Sequence, residues 1–350
     1  MRKHTSRAFA PVEVKNRITD ICHKCIDEWI ESILEPSIKH GTCIDPCHEM
    51  LDVAFRIICQ VVFEYKATRE ECELFLKHGD IAGVEFGFKQ MVNPLRPLFG
   101  KWLPGRAEAF KSVEWVQSFG MKMLCEFQRK KSQGLNAKDC HTIINIIDSD
   151  PSFKTNEEKL PELMLWLFAG HDTTGYSMGI MLLHLAQNKS EMVKVREAIS
   201  KADESQYINL NEVQNVIKES NRLMSVVASI SMRKLGADMT TSDGHLIPKG
   251  TTVFLPQHLP NHDPRIYKSP DRFLPDRWNG ATKEMTDAHM PFAHGQRSCP
   301  GMSLAKAEMG LIIPRLIRDY DFEVVKEGEP KFFVTLKPVG VQLRSKYAAK

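Results

Sequence analysis

The sequence predicts a mainly α-helical chain with a minor β part, on three observations. Apolar residues recur at three- and four-residue spacing through most of the stretch before Met224, the signature of helices with one buried face. After Met224 this period gives way to Pro, Gly, Asp and Arg punctuation around short β-branched runs, which reads as turns and strands. The composition is that of an ordinary folded chain, 42% hydrophobic, 26% charged and 8% aromatic over 350 residues, long enough to bury a large core. A net charge of +3, from 47 basic and 44 acidic residues, is too balanced for a dedicated nucleic-acid binder. No apolar run approaches a membrane span, the best being Leu163 to Gly170, and no signal-peptide core follows Met1-Arg2-Lys3-His4. Nine cysteines are an odd number, and a chain of this size needs no staples, so the usage reads as a reducing compartment.

In chain order, Ile18, Ile21, Cys22, Cys25, Trp29 and Ile33 form one helical stripe that Pro36 is expected to stop. Asp45 opens a second helix carrying Met50, Ala54, Ile57, Ile58 and Val61. A looser stretch is expected where Gly79, Gly83, Gly87, Pro94, Pro97 and Pro104 punctuate the chain. Further helices are expected from about Arg106 to Lys131, Asn136 to Asp150 and Asn156 to Gln187, then near Glu191 to Ala202 and Asn211 to Met224. Asp243-Gly244 and Thr251 to Leu255 read as a turn and a short strand. His258 to Pro291 is a long loop rich in Pro, Asp, Asn and Arg, uncommon unless functional. A last helix, about Ser303 to Arg318, precedes two short strands near Phe333 and Val341. No linker divides the chain.

Three constellations carry chemistry. Phe292 to Gly301 sets Cys299 and Arg297 in a glycine-bounded loop just before a helix. A helix start stabilises a thiolate, glycines let the backbone approach a flat ligand, and arginine pairs bidentately with a carboxylate. An isolated cysteine in such a turn would be a buried structural residue, but here five positions fit haem ligation together. The second is Ala169-Gly170-His171-Asp172-Thr173-Thr174 in the longest apolar helix. Gly170 weakens the helix, threonines bond back to carbonyls a turn earlier, and an acid beside an alcohol suggests proton delivery; a satisfied polar patch reads equally well. The third, Glu219 and Arg222, is by itself an ordinary pair three apart on a helix.

Together these residues carry a resemblance. The loop fits F-x-x-G-x-R-x-C-x-G, the helix fits A-G-x-D-T-T, Glu219 to Arg222 fits E-x-x-R, and Pro275-Asp276-Arg277-Trp278 resembles the meander that follows it. In order and spacing the chain resembles a cytochrome P-450, a haem-thiolate monooxygenase, from residue 1 to about 345. The resemblance implies that Cys299 is the axial ligand of heme b iron, with Phe292, Gly295 and Gly301 shaping its loop. Arg297, Arg233 and Arg2 fall where the family holds the haem propionates. Glu219, Arg222 and Arg277 resemble a buried triad that locks the meander. Asp172 and Thr173 resemble the pair that delivers protons during dioxygen activation. It further implies a small, apolar organic substrate and electrons drawn from NADPH through a reductase or ferredoxin, docking near Lys306 and Arg315.

The chain departs from the family pattern in three places. Ala293 replaces a glycine or small polar residue, an exchange expected to be tolerated. Met224-Ser225-Val226 replaces a proline pair, which puts the following strand's path in question. Ser6 to Pro11 resembles the end of helix C, so residues 1–350 are expected to be an incomplete catalytic domain. The edge near Thr251 to Leu255 would then be left unpaired, and a longer parent could carry an endoplasmic-reticulum anchor. Location is otherwise unreadable. A rival reading takes Cys22-x2-Cys25 and Cys43-x3-Cys47 as a zinc site, but two of these cysteines fall on an apolar helix face and read better as small buried hydrophobes.

Overall fold

The computed structural model describes residues 18–134, 142–228, 231–332 and 335–349. Arg2 lies outside them, as do Ser6 to Pro11. Helices build the body: α1 (Thr19–Trp29), α2 (Glu35–His40), α3 (Pro46–Phe63), α4 (Arg69–Ala82), the short α5 (Gln90–Val92), α6 (Arg106–Ser132), α7 (Ile143–Asp148), α8 (Asn156–Gln187), α9 (Lys189–Ile199), α10 (Asn211–Leu223), the short α11 (His258–Asn261) and α12 (Lys283–Ala288), and α13 (Met302–Asp319). The expected helix ends hold where capping is strong. Asp45 Oδ1 accepts from the amides of Cys47 and His48 to open α3, and Thr155 caps α8.

Several expectations are corrected. Pro36 does not stop the first helical run. The chain passes through a π-helical turn, Ile30–Leu34, and Pro36 sits in the first turn of α2, where a missing N–H costs nothing. Gly41, at φ 66°, ends it. The stretch around Gly79 is helical, because Thr68 and Glu71 form a reciprocal cap for α4 that outweighs one internal glycine. The described part of the helix expected over 136–150 is only α7. The 258–291 segment is not structureless but holds α11, the 3₁₀ turn Pro275–Gly280 and α12.

The β part is peripheral. β1 (Cys43–Ile44), β9 (Gln342–Tyr347) and β6 (Tyr320–Lys326) form an antiparallel sheet with β9 in the middle. β6 escaped the sequence reading because its run follows α13 without a turn signal. β2 (Ser231–Lys234) pairs with β5 (Thr252–Leu255), Arg233 opposite Val253. β5 therefore pairs along one edge, and its other edge, the one expected to be left open, has no strand partner among the described residues. β3 (Met239–Thr240) pairs with β4 (Leu246–Ile247), and β7 (Glu329–Phe332) with β8 (Leu336–Val339).

The core runs along α3 and α8. Both are buried on most faces, so each reads as a nearly continuous apolar run. Their close approach is set by glycine: a Cβ on Gly179 would lie 2.6 Å from Cys47 Cα, and one on Gly175 2.8 Å from Leu51 Cα. Cys22, Cys25 and Cys47 belong to this core. Burial pushes their thiols up, which suits packing rather than metal ligation, and among the described residues no group of three His, Cys, Asp or Glu could hold a metal ion. No described helix is long and apolar enough to cross a membrane.

Candidate active site

Cys299 sits in the turn that leads into α13. Its amide donates to the Phe292 carbonyl at 2.8 Å, closing the loop. Ser298 N donates to Gly295 O at 3.0 Å, and Gly295 holds φ 74°, a left-handed backbone that glycine adopts freely. Gly301 caps α13, and a Cβ there would come within 3.8 Å of Cys299 Sγ. The result is an exposed thiol three residues ahead of an 18-residue helix, at that helix's positive end.

A cavity of about 370 Å³ opens over this turn. Phe292, Arg297, Cys299 and Gly301 line it from below, Arg233 reaches it from β2, and Thr173 faces it from α8. The chain thus brings together, from segments more than a hundred residues apart, five of the residues expected to hold a cofactor and one of the two expected to move protons. Arg233 Nη1 donates to the carbonyl of Met232 at 2.8 Å, and among the described residues no carboxylate pairs with Arg233 or Arg297. Gly295 shapes the loop without lining the cavity.

Asp172 is not brought to the cavity. One residue along a helix turns the side chain by about 100°, and its carboxylate accepts instead from Thr335 Oγ1 at 3.0 Å. Thr173 Oγ1 donates to Ala169 O at 2.8 Å, and Ser177 Oγ to Thr173 O at 2.8 Å, the back-bonding expected of hydroxyls in a helix. α8 nevertheless runs unbroken. Gly170 is explained by packing: a Cβ would meet Ile58 Cδ1 at 2.7 Å. Sequence reasoning missed Trp166, Ser177, Asn221 and Met309, which also line the cavity. The first two share the helical stripe of Thr173, so the period was signal enough; Asn221 and Met309 come from α10 and α13 and left none.

Behind the cavity lies a buried ion network. Glu219 and Arg222 are fully buried and bond through both carboxylate oxygens at 2.9 Å. Arg277 Nε, the Leu274 amide and Trp278 Nε1 donate to the same carboxylate. Arg222 also donates to the carbonyls of Asn261, Pro270 and Arg272. Burial acts to raise the Glu219 carboxyl, but the Arg222 hydrogen bonds and charge outweigh it and hold the group below the usual range. This is no surface pair: it ties the 258–291 segment to α10. Trp278 is a member the sequence did not suggest. Of the two cations expected on the nearby face, Arg315 is paired with Asp27 and Asp319, so it does not offer free charge. Lys306 lies half-buried over the Phe292 ring.

The cytochrome P450 family pattern matches residues 1–349. Abscisic acid 8'-hydroxylase 1 of Arabidopsis thaliana is 28% identical over 343 residues, 93% of this chain and 66% of that protein. Cytochrome P450 3A40 of Oryzias latipes is 31% identical over 187 residues, 51% of this chain and 37% of that protein. The chain thus spans less than two thirds of the length of these curated relatives. Among solved structures, a cytochrome P450, CYP102L1, superposes with a TM-score of 0.82 at 18% identity, covering 99% of this chain and 81% of that one. The heme domain of cytochrome P450DA gives 0.78 at 16%, covering 99% and 77%. With the family pattern matched over residues 1–349, the chain belongs to the cytochrome P450 family.

Proposed function

We propose that the chain is a haem-dependent monooxygenase whose axial iron ligand is Cys299. The observation that carries this reading is the donor set of one cavity: an exposed thiol at a helix start, and two guanidinium groups with no carboxylate partner among the described residues. These residues fit heme b, which carries an iron for the thiolate and two carboxylates for Arg297 and Arg233. Once bound, that group supplies the activation of dioxygen, so that one oxygen atom enters the substrate and the other leaves as water with two electrons and two protons from outside.

The chain's own residues do the rest. The start of α13 favours the thiolate over the thiol. Phe292 and the apolar side of α8 exclude water. Thr173, its proton donated to Ala169 O, presents oxygen lone pairs to the cavity, and Asp172 beside it supplies protons. The apolar walls suit a small organic substrate. Electrons come from NADPH through a reductase or ferredoxin. The test is the absorption spectrum of the reduced, carbon-monoxide-bound protein. The wild type shows the red-shifted thiolate band and Cys299→Ala lacks it; a band that survives Cys299→Ala removes the cysteine from the assignment.

A further inference from the structure

Asp172 is turned out of the cavity, and what holds it there comes from a distant part of the chain. Thr335, just before β8, is buried and donates its hydroxyl proton to Asp172 Oδ2 at 3.0 Å. One turn further along α8, Lys337 of β8 places its ammonium 5.1 Å from the centre of the Tyr176 ring, and the same ammonium lies 3.7 Å from Asp80 Oδ1 on α4. The β8 segment thus engages two successive turns of α8 on the side away from Cys299.

Resting on the monooxygenase reading, we propose that Thr335 is a positioning residue that fixes Asp172 as the point where protons enter. A carboxylate next to Thr173 in sequence can serve the cavity only if its rotamer is defined, and a single hydrogen bond from a buried hydroxyl defines it. In the step assigned to it, Asp172 takes a proton from water at the outer edge of α8 and releases it through water toward Thr173, regenerating the carboxylate; no electron moves. Lys337 has a separate role, holding the strand against α8 and α4. Proton supply therefore depends on the β7–β8 hairpin, whose Thr335 lies 163 residues along the chain from Asp172.

The test compares Thr335→Val, which keeps the side-chain shape, with Thr335→Ser, which keeps the hydroxyl. The haem-loaded protein is labelled with ¹³C at aspartate carboxyls, and the Asp172 resonance is identified by its loss in Asp172→Asn. Thr335→Val shifts that resonance and lowers product formed per NADPH consumed several-fold, with the difference appearing as peroxide; Thr335→Ser restores both. Thr335→Ala gives the same comparison should the Val variant fail to fold. An unmoved resonance in Val or Ala overturns the proposal, and so does a moved resonance with unchanged product yield, since Thr335 would then be structural only. The reduced carbon-monoxide spectrum is recorded throughout. Its thiolate band stays in every Thr335 variant if only this inference fails, whereas a wild type without the band fails the functional reading itself.

Discussion

Ala293 carries strain. Its φ of 56° lies in the left-handed region, where the Cβ of an L-residue crowds the following carbonyl at a cost of roughly 1–2 kcal/mol. The sequence predicts that alanine is tolerated here; in the structure it takes this φ within a loop closed by the Cys299 amide bond to Phe292. Ala293→Gly removes the crowding but adds freedom to the unfolded chain. The expected net gain is up to about 1 kcal/mol, a midpoint rise of roughly 1–2 °C by thermal unfolding in a chain of this length. An equal or lower midpoint would mean that the loop does not hold this strain. The exchange of one small residue for another was legible in the sequence; the sign of φ that gives it an energetic meaning was not.

At the scale of elements, α3 and α8 touch backbone to side chain through glycines. Gly179→Ala forces a Cβ to within 2.6 Å of Cys47 Cα, and backbone cannot step aside. Gly170→Ala meets Ile58 Cδ1 at 2.7 Å and Cγ1 at 2.8 Å, a side chain that can yield where backbone cannot, and alanine recovers roughly 1 kcal/mol of helix propensity. We expect Gly179→Ala to destabilise by roughly 1–3 kcal/mol or more, and Gly170→Ala to lie within about 1 kcal/mol of wild type. Chemical denaturation of the two variants decides it; equal losses would show that the helices can slide apart. The sequence reading assigned Gly170 to a weakened, bent helix. That was a propensity argument, and the continuous helix shows packing against Ile58 winning instead.

At the scale of the molecule, the Glu219–Arg222–Arg277 network joins the helical body to the segment that leads into the Cys299 loop. Arg222→Ala leaves a buried carboxylate and three carbonyls with lost partners, and a loss of roughly 3–5 kcal/mol is expected. Arg277→Ala is milder, because Arg222 still neutralises Glu219. The pH dependence has a definite sign. Glu219 titrates below its ordinary value near 4.5 in the folded state, so its contribution is present above that pH and is lost as pH falls through the depressed value. Unfolding midpoints measured from neutral pH down into that acid window should fall for wild type more steeply than for Glu219→Gln. Parallel curves would show that the network is not what acid breaks.

What the sequence determined by itself was local and periodic. The starts of α3 and α8 follow from the Asp45 and Thr155 caps and the extents of α6 and α10 from apolar stripes, and the loop around Cys299 is recognisable because its residue types stand at fixed short spacings. The family, and with it the mainly helical fold, was legible for the same reason. Only the tertiary structure decided which side chains share a space. It put Arg233 and Thr173 over Cys299, turned Asp172 toward Thr335, made a weak i,i+3 pair into a fully buried hub, and engaged Arg315 with two acids. Spacing along a chain fixes direction within one element. It says nothing of what a distant strand or helix brings to meet it, and burial, which turns a modest pair into a costly one to break, exists only once those elements have packed.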